Sequence, residues 1–158
     1  MIIPLPPAKA RTVRHELITF GIAGQLFGID IMAIREIRAW SPVTRLPGVP
    51  DYVAGVVNLR GAVLPVIDLS LRLGWPATET TPRNPIIVSV IDGQSRGLIV
   101  HDVNDIVSID SSAIQQPDTI AQDSITHFLE GVAPIGEEMV MVLDLRRLMA
   151  GEELVLAA

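Results

Sequence analysis

The chain contains no cysteine. Disulfides, thiolate metal centres and thiol nucleophiles are thereby excluded, and the composition is compatible with a reducing compartment. Aromatic residues are scarce, 4% of a chain that is 49% hydrophobic, so isoleucine, valine and leucine must build the core. Burying one such side chain contributes roughly 1.5–3 kcal/mol, so a few dozen can offset the ordering entropy of 158 residues. Lysine occurs once, at Lys9. No Gly-Lys-Ser/Thr sequence is present to cradle a phosphate, and a Schiff-base lysine has no candidate in the body of the chain. Basic clusters are absent apart from Arg146-Arg147, and the net charge is −6. Nucleic-acid binders need a basic surface, because counterion release drives their affinity. No apolar run approaches the ~18 residues of a membrane span. The first residues carry prolines without a hydrophobic leader segment, and residues 1–12 read as a flexible proline-rich tail.

What the chain does have is an internal repeat. Residues 16–37 align without gaps on residues 85–106 at a shift of 69. Gly24-Gln25 falls on Gly93-Gln94, Gly28 on Gly97, Ile34 on Val103, Glu36 on Asp105 and Ile37 on Ile106. Residues 52–69 align on 128–145 at a shift of 76, with Gly55-Val56 on Gly131-Val132 and Asp68-Leu69 on Asp144-Leu145. Repeats of this kind report duplicated structural units. The reading is a single domain over 13–155 made of two barrel halves, about 13–82 and 83–155.

The local signals are β. Leu17–Ile22 and Ile86–Ile91 are short β-branched runs closed by Ala23-Gly24 and Asp92-Gly93, which suit hairpin turns. Gln25–Ile29 and Arg96–Val100 are the return strands, and Ala62–Ile67 and Met139–Leu143 are further strands. Asp68 and Asp144 each sit where a strand ends and a short helix begins, as N-caps worth about 1 kcal/mol. Gly74 and Gly151 are placed to stop those helices. The pattern predicts an all-β protein with short helices: two five-stranded barrels packed side by side. Residues 110–127 break the pattern and read as a long connection.

Catalytic patterns are nearly absent. Gly93-Gln94-Ser95-Arg96-Gly97 has the spacing of a nucleophile elbow, which needs a strand–turn–helix to expose its serine. Here both flanks read as strands, and the equivalent segment, Gly24-Gln25-Leu26-Phe27-Gly28, repeats the glycines without the serine. A serine hydrolase using Ser95, with His101 as its partner, stands only as an alternative. His101, Asp102 and Asp105 can be drawn as a metal site, but a surface turn is the preferred reading. No catalytic residue, cofactor or metal ligand is assigned, and the chain reads as a binding module rather than an enzyme.

Val43-Thr44-Arg45-Leu46-Pro47, followed by Pro50-Asp51-Tyr52-Val53-Ala54-Gly55-Val56-Val57-Asn58-Leu59-Arg60-Gly61-Ala62-Val63-Leu64-Pro65-Val66-Ile67-Asp68-Leu69, resembles the hallmark of the CheW family of bacterial chemotaxis coupling proteins. Phe27-Gly28-Ile29-Asp30-Ile31 and Ile34-Arg35-Glu36-Ile37-Arg38 resemble it too. The resemblance implies two five-stranded SH3-like β-barrels (a CheW-like fold) and a non-catalytic adaptor. Its expected partners are the regulatory domain of a CheA-type histidine kinase and the cytoplasmic tip of a methyl-accepting chemoreceptor. The expected location is cytoplasmic, at receptor arrays on the inner membrane, without membrane insertion. The same resemblance implies a receptor groove between the barrels with Ile31, Ile34, Glu36, Val57, Asn58 and Arg60, its backbone shaped by Gly55 and Gly61. It places the kinase contact at the barrel ends, for which Ile114 and Ile120 are the candidates. Arg60 also has a physical case: in a Gly-flanked turn its guanidinium can pair bidentately with a carboxylate. Within the chain, Glu36 or Asp68 could be that carboxylate. A proline-rich lead and Trp40 depart from the family pattern, so an adaptor of a non-flagellar chemosensory pathway, or an assembly subunit that never touches a receptor, remains open.

Overall fold

A computed structural model describes residues 14–116 and 124–150. The expected tail, Ile120 and Gly151 lie outside the described residues. Among the described residues there are ten strands: β1 (Arg14–Ile22), β2 (Gln25–Asp30), β3 (Ile34–Arg38), β4 (Val53–Leu59), β5 (Ala62–Asp68), β6 (Ile86–Ile91), β7 (Gln94–Ile99), β8 (Asp102–Asp110), β9 (Leu129–Ile135) and β10 (Glu138–Leu143). Three short helices join them: α1 (Leu69–Arg72), α2 (Ser124–His127) and α3 (Leu145–Met149).

The strands form two five-stranded sheets, ordered β8-β1-β2-β10-β9 and β3-β6-β7-β5-β4. The sequence repeat maps one order onto the other, strand for strand. Registers agree as well. Leu17 faces Asp30 in β1–β2, and Ile86 faces Ile99 in β6–β7, each displaced by the same 69 positions. Val57 faces Leu64 in β4–β5, and Ala133 faces Val140 in β9–β10, each displaced by 76.

The division at residue 82, however, does not separate the barrels. The first barrel takes β1 and β2 from the first half of the sequence and β8, β9 and β10 from the second. The second barrel is β3 to β7. Each half therefore gives its first hairpin to one barrel and its remaining strands to the other. The physical reason is the tight 3-10 turn Ile31–Ala33, which sends β3 away from β2 to pair with β6.

Closure of each barrel rests on one crossing. The chain beyond β3 returns to the opposite sheet edge, where Thr44 and Val56 exchange two backbone hydrogen bonds of 2.9 Å. Beyond β8, Gln115 and Val132 do the same, at 2.8 and 2.7 Å. Gly55 and Gly131 permit these approaches. A Cβ on Gly55 would lie 2.1 Å from Thr44 O, and one on Gly131 would lie 2.8 Å from Gln115 O. Gly55 thus builds the barrel seam.

Each barrel has its own interior. Leu17, Ile109, Ala133 and Val142 fill the first, and Val57, Leu59, Leu64, Val66, Ile86, Val88 and Ile99 fill the second. A larger cluster lies between them, with Phe20, Phe27 and Ile29 from one side and Ile67, Ile87 and Leu98 from the other. Arg72 of α1 spans this junction. Its guanidinium lies 4.4 Å from the Tyr52 ring and 4.6 Å from the Phe128 ring, and its Nε donates to Leu148 O at 2.7 Å. Both N-caps form: Asp68 accepts from Ser70 N–H, and Asp144 from Arg146 and Arg147 N–H. Gly74, at φ +93, stops α1, with Gly74 N–H donating to Leu71 O and Trp75 N–H to Ser70 O.

Candidate partner-binding groove

The β4–β5 hairpin turns on two residues, Arg60 and Gly61, at φ +49 and +86. Both central residues of a type I′ turn need positive φ, and its twist suits the strands it joins. Asn58 Oδ1 accepts from Gly61 N–H at 2.8 Å and holds the turn. The side chain of Arg60 is thrown outward and keeps 64% of its surface exposed. Its Nη2 donates to Glu36 Oε2 at 2.8 Å, and its Nη1 to Glu36 Oε1 at 3.4 Å. Arg38 Nη1 also reaches Glu36 Oε1, at 3.4 Å. The Arg60 hydrogen bond holds the Glu36 carboxyl below its ordinary value against partial desolvation, and Glu36 raises the Arg60 guanidinium in return. Glu36 lies on β3 and Arg60 beside β4, at opposite edges of a five-stranded sheet. Flat, those edges would stand roughly 19 Å apart, so the ion pair reports the curling of the sheet into a barrel.

The structure brings only some of the expected residues to one surface. Arg60, Glu36 and Asn58 meet at the hairpin. Ile31 stands in the 3-10 turn at the crossing between barrels and is half-buried. Ile34 is half-buried against the inter-barrel core, as is its repeat partner Val103. Val57 is buried inside the second barrel at 5% exposure, so its side chain is closed to a partner. Its position on β4 explains this, because inward residues alternate along the strand as Val53, Gly55, Val57 and Leu59. Gly61 has open space around it and serves the turn. Ile114, expected to be exposed, is half-buried and packs on the first barrel's interior. Trp40 is half-buried over the second barrel's core.

The hydrolase alternative is overturned. Asp92 and Gly93, at φ +51 and +79, make a second tight hairpin, and Ser95 lies within β7 rather than on a turn into a helix. His101 is engaged elsewhere, with Nδ1 accepting from Ala23 N–H at 2.9 Å and Nε2 at 3.3 Å from Thr78 Oγ1. Among the described residues, no three His, Asp or Glu side chains converge to hold a metal ion.

Some candidates escaped sequence reasoning. Met32, Val63, Met139 and Ile106 are exposed at 87, 73, 55 and 54%. Val63 and Met139 are repeat partners, as are Ile37 and Ile106. For Val63, Ile106 and Met139 the usable signal was strand parity, which points them out of their own barrel, whereas Met32 stands in the 3-10 turn.

The described residues thus form twin five-stranded barrels of matching strand order, with the Arg60–Glu36 pair exposed on the second. Residues 16–153 match the model of the CheW-like domain. The chain is 44% identical over 139 residues to the chemotaxis protein CheW of Rhizobium meliloti, covering 88% of this chain and 90% of that one. It is 32% identical over 145 residues to the chemotaxis protein CheW of Klebsiella aerogenes, covering 92% and 87%. The crystal structure of the scaffolding protein TtCheW from Thermoanaerobacter tengcongensis superposes with a TM-score of 0.79 at 32% identity, covering 87% of this chain and 94% of that one. The protein belongs to the CheW family, the non-catalytic adaptors that couple kinase to chemoreceptor in chemotaxis signalling.

Proposed function

We propose that the surface around Arg60 is where this adaptor takes hold of the cytoplasmic tip of a methyl-accepting chemoreceptor, from a cytoplasmic position beneath receptor arrays. The observation that carries the reading is an arginine held outward by a tight turn and still largely exposed while paired with Glu36. Asn58 and Gly61 set the turn, and Glu36 orients the guanidinium. A fixed, planar guanidinium recognises a carboxylate with geometric selectivity. Signal transfer requires that the groove bind one receptor state better than the other, since equal affinity would shift nothing.

The regulatory domain of a CheA-type kinase docks elsewhere in this reading. Exposed Ile106 and Met139 on the first barrel offer more accessible apolar surface than half-buried Ile114. Arg60→Glu tests the receptor assignment. The variant keeps its melting temperature within a few degrees, retains kinase binding and loses receptor binding by about tenfold or more. Receptor binding at the wild-type level would refute the assignment, and unfolding would show that the pair with Glu36 is structural.

A further inference from the structure

Arg35, Arg60 and Arg96 line one groove of about 560 Å³, together with Val63, Pro65 and Gln94. No carboxylate is among its described lining residues, although Glu36 pairs with Arg60 from beside it, and the whole chain carries a net charge of −6. The groove is bounded by β3, the β4–β5 hairpin and the start of β7. Arg35 is exposed and makes no ion pair with a described residue. Arg96 is 5% exposed, with Nη1 donating to Ser95 O at 2.8 Å and Nη2 to Gln94 Oε1 at 3.0 Å. Val63 stands 73% exposed at the rim.

The duplicated barrel serves as an internal control. The positions of Arg35, Arg60 and Arg96 correspond to Asn104, Gly136 and Phe27 in the first barrel. Phe27 is fully buried and stacked on Phe20, at 6.0 Å between ring centroids. The position of Phe20 is Ser89 in the second barrel. An apolar pair is thus replaced by a serine and an arginine, and two further guanidiniums are added nearby. The fold requires none of the three arginines, because its twin forms the same strands in the same register without them.

We infer that this groove binds an acidic segment of the receptor, with partner carboxylates on Arg35 and Arg60 and an apolar side chain on Val63. The inference rests on the receptor reading above and adds the chemistry of the partner. Three guanidiniums in one groove of a chain whose net charge is −6 give an acidic segment a local site of opposite charge, and charge complementarity of this kind sets the place and register of docking.

The test is the affinity of a chemoreceptor cytoplasmic fragment from the same organism, measured at low and at physiological salt. It compares wild type, Arg35→Glu, Arg35→Gln and the control Asn104→Glu. Arg35→Glu should weaken binding by about tenfold or more and flatten its salt dependence. Arg35→Gln should weaken it less, and Asn104→Glu should leave it unchanged. Wild-type affinity in Arg35→Glu, alongside loss in Arg60→Glu, would overturn this inference and leave the receptor reading intact. A loss of kinase binding confined to Arg35→Glu would also overturn it, since the groove would then belong to the kinase. Failure of the wild-type chain to bind receptor while it binds kinase would remove the receptor reading itself.

Discussion

The twin caps Asp68 and Asp144 occupy equivalent places, and equal pairing would make their removal equally costly. The structure makes them unequal. Asp144 caps α3 through Arg146 and Arg147 N–H, at 3.0 and 3.3 Å, with an exposed ion pair to Arg147 at 3.5 Å. Its replacement by alanine should cost about 1 kcal/mol, the ordinary worth of a cap. Asp68 is 5% exposed and does more. It accepts from Ser70 N–H at 3.1 Å, Thr78 N–H at 2.8 Å and Thr78 Oγ1 at 2.8 Å. Asp68→Ala removes the cap and leaves the Thr78 amide without its acceptor, a loss of about 1–3 kcal/mol on its own. The Thr78 hydroxyl is only half-buried and can turn toward water, so it adds little. The expected total is about 3 kcal/mol. In a domain of this size each kcal/mol moves the melting temperature by about 2–4 °C. Asp144→Ala should therefore lower it by about 2–4 °C and Asp68→Ala by about 6–12 °C. Urea denaturation should rank them alike, and hydrogen exchange at the Thr78 amide should accelerate only in Asp68→Ala. Melting of the two variants together would refute the added role of Asp68.

Other outcomes follow from the same geometry. Gly55→Ala should destabilise the second barrel by about 3–5 kcal/mol, since it strains a φ of +148 and parts the two Thr44–Val56 hydrogen bonds. Gly61→Ala, with nothing within 4 Å, should cost about 1 kcal/mol by comparison, and thermal melts of both variants check the difference. Glu36 has a folded pKa below its ordinary 4.5, so its pairing adds stability above that value and loses it as pH falls through the folded pKa. A melting profile across acid pH should be flatter in Glu36→Gln than in wild type.

The repeat, the hairpins, both caps and the glycine stop at Gly74 were legible because each is set by residues close in sequence. The allocation of strands to barrels was not. A half that keeps its five strands together and a half that gives its first hairpin to the other barrel show the same alternation and the same turns. Only pairing over long sequence distance distinguishes them, such as Leu17 with Val107. Val57 was misplaced for a different reason. Parity along β4 already pointed it inward, and the family resemblance carried it to a surface without that check. The wider duty of Asp68 was hidden because Thr78 lies in an aperiodic segment ten positions on. The arginine groove was hidden because its members, Arg35 on β3, Arg60 in the β4–β5 turn and Arg96 on β7, meet only after the sheet closes.

The internal pair between Arg60 and Glu36 is the strongest objection to a binding role, and geometry limits its force. A guanidinium has five N–H donors. Glu36 accepts from one on Nη1 and one on Nη2, which leaves donors for a second carboxylate. The pair also fixes the direction of a long side chain before any partner arrives, so less rotamer freedom is lost on docking. Had Arg60 evolved only to brace the barrel, the first barrel should show a comparable brace at Asp105 and Gly136. Asp105 instead turns one carboxylate oxygen to Ile106 N–H, and Gly136 has no side chain to offer. The first barrel closes at Gln115 and Val132 without an ion pair at these positions, so closure does not need one. Glu36 is therefore better understood as the group that aims Arg60 than as the purpose for which Arg60 is there.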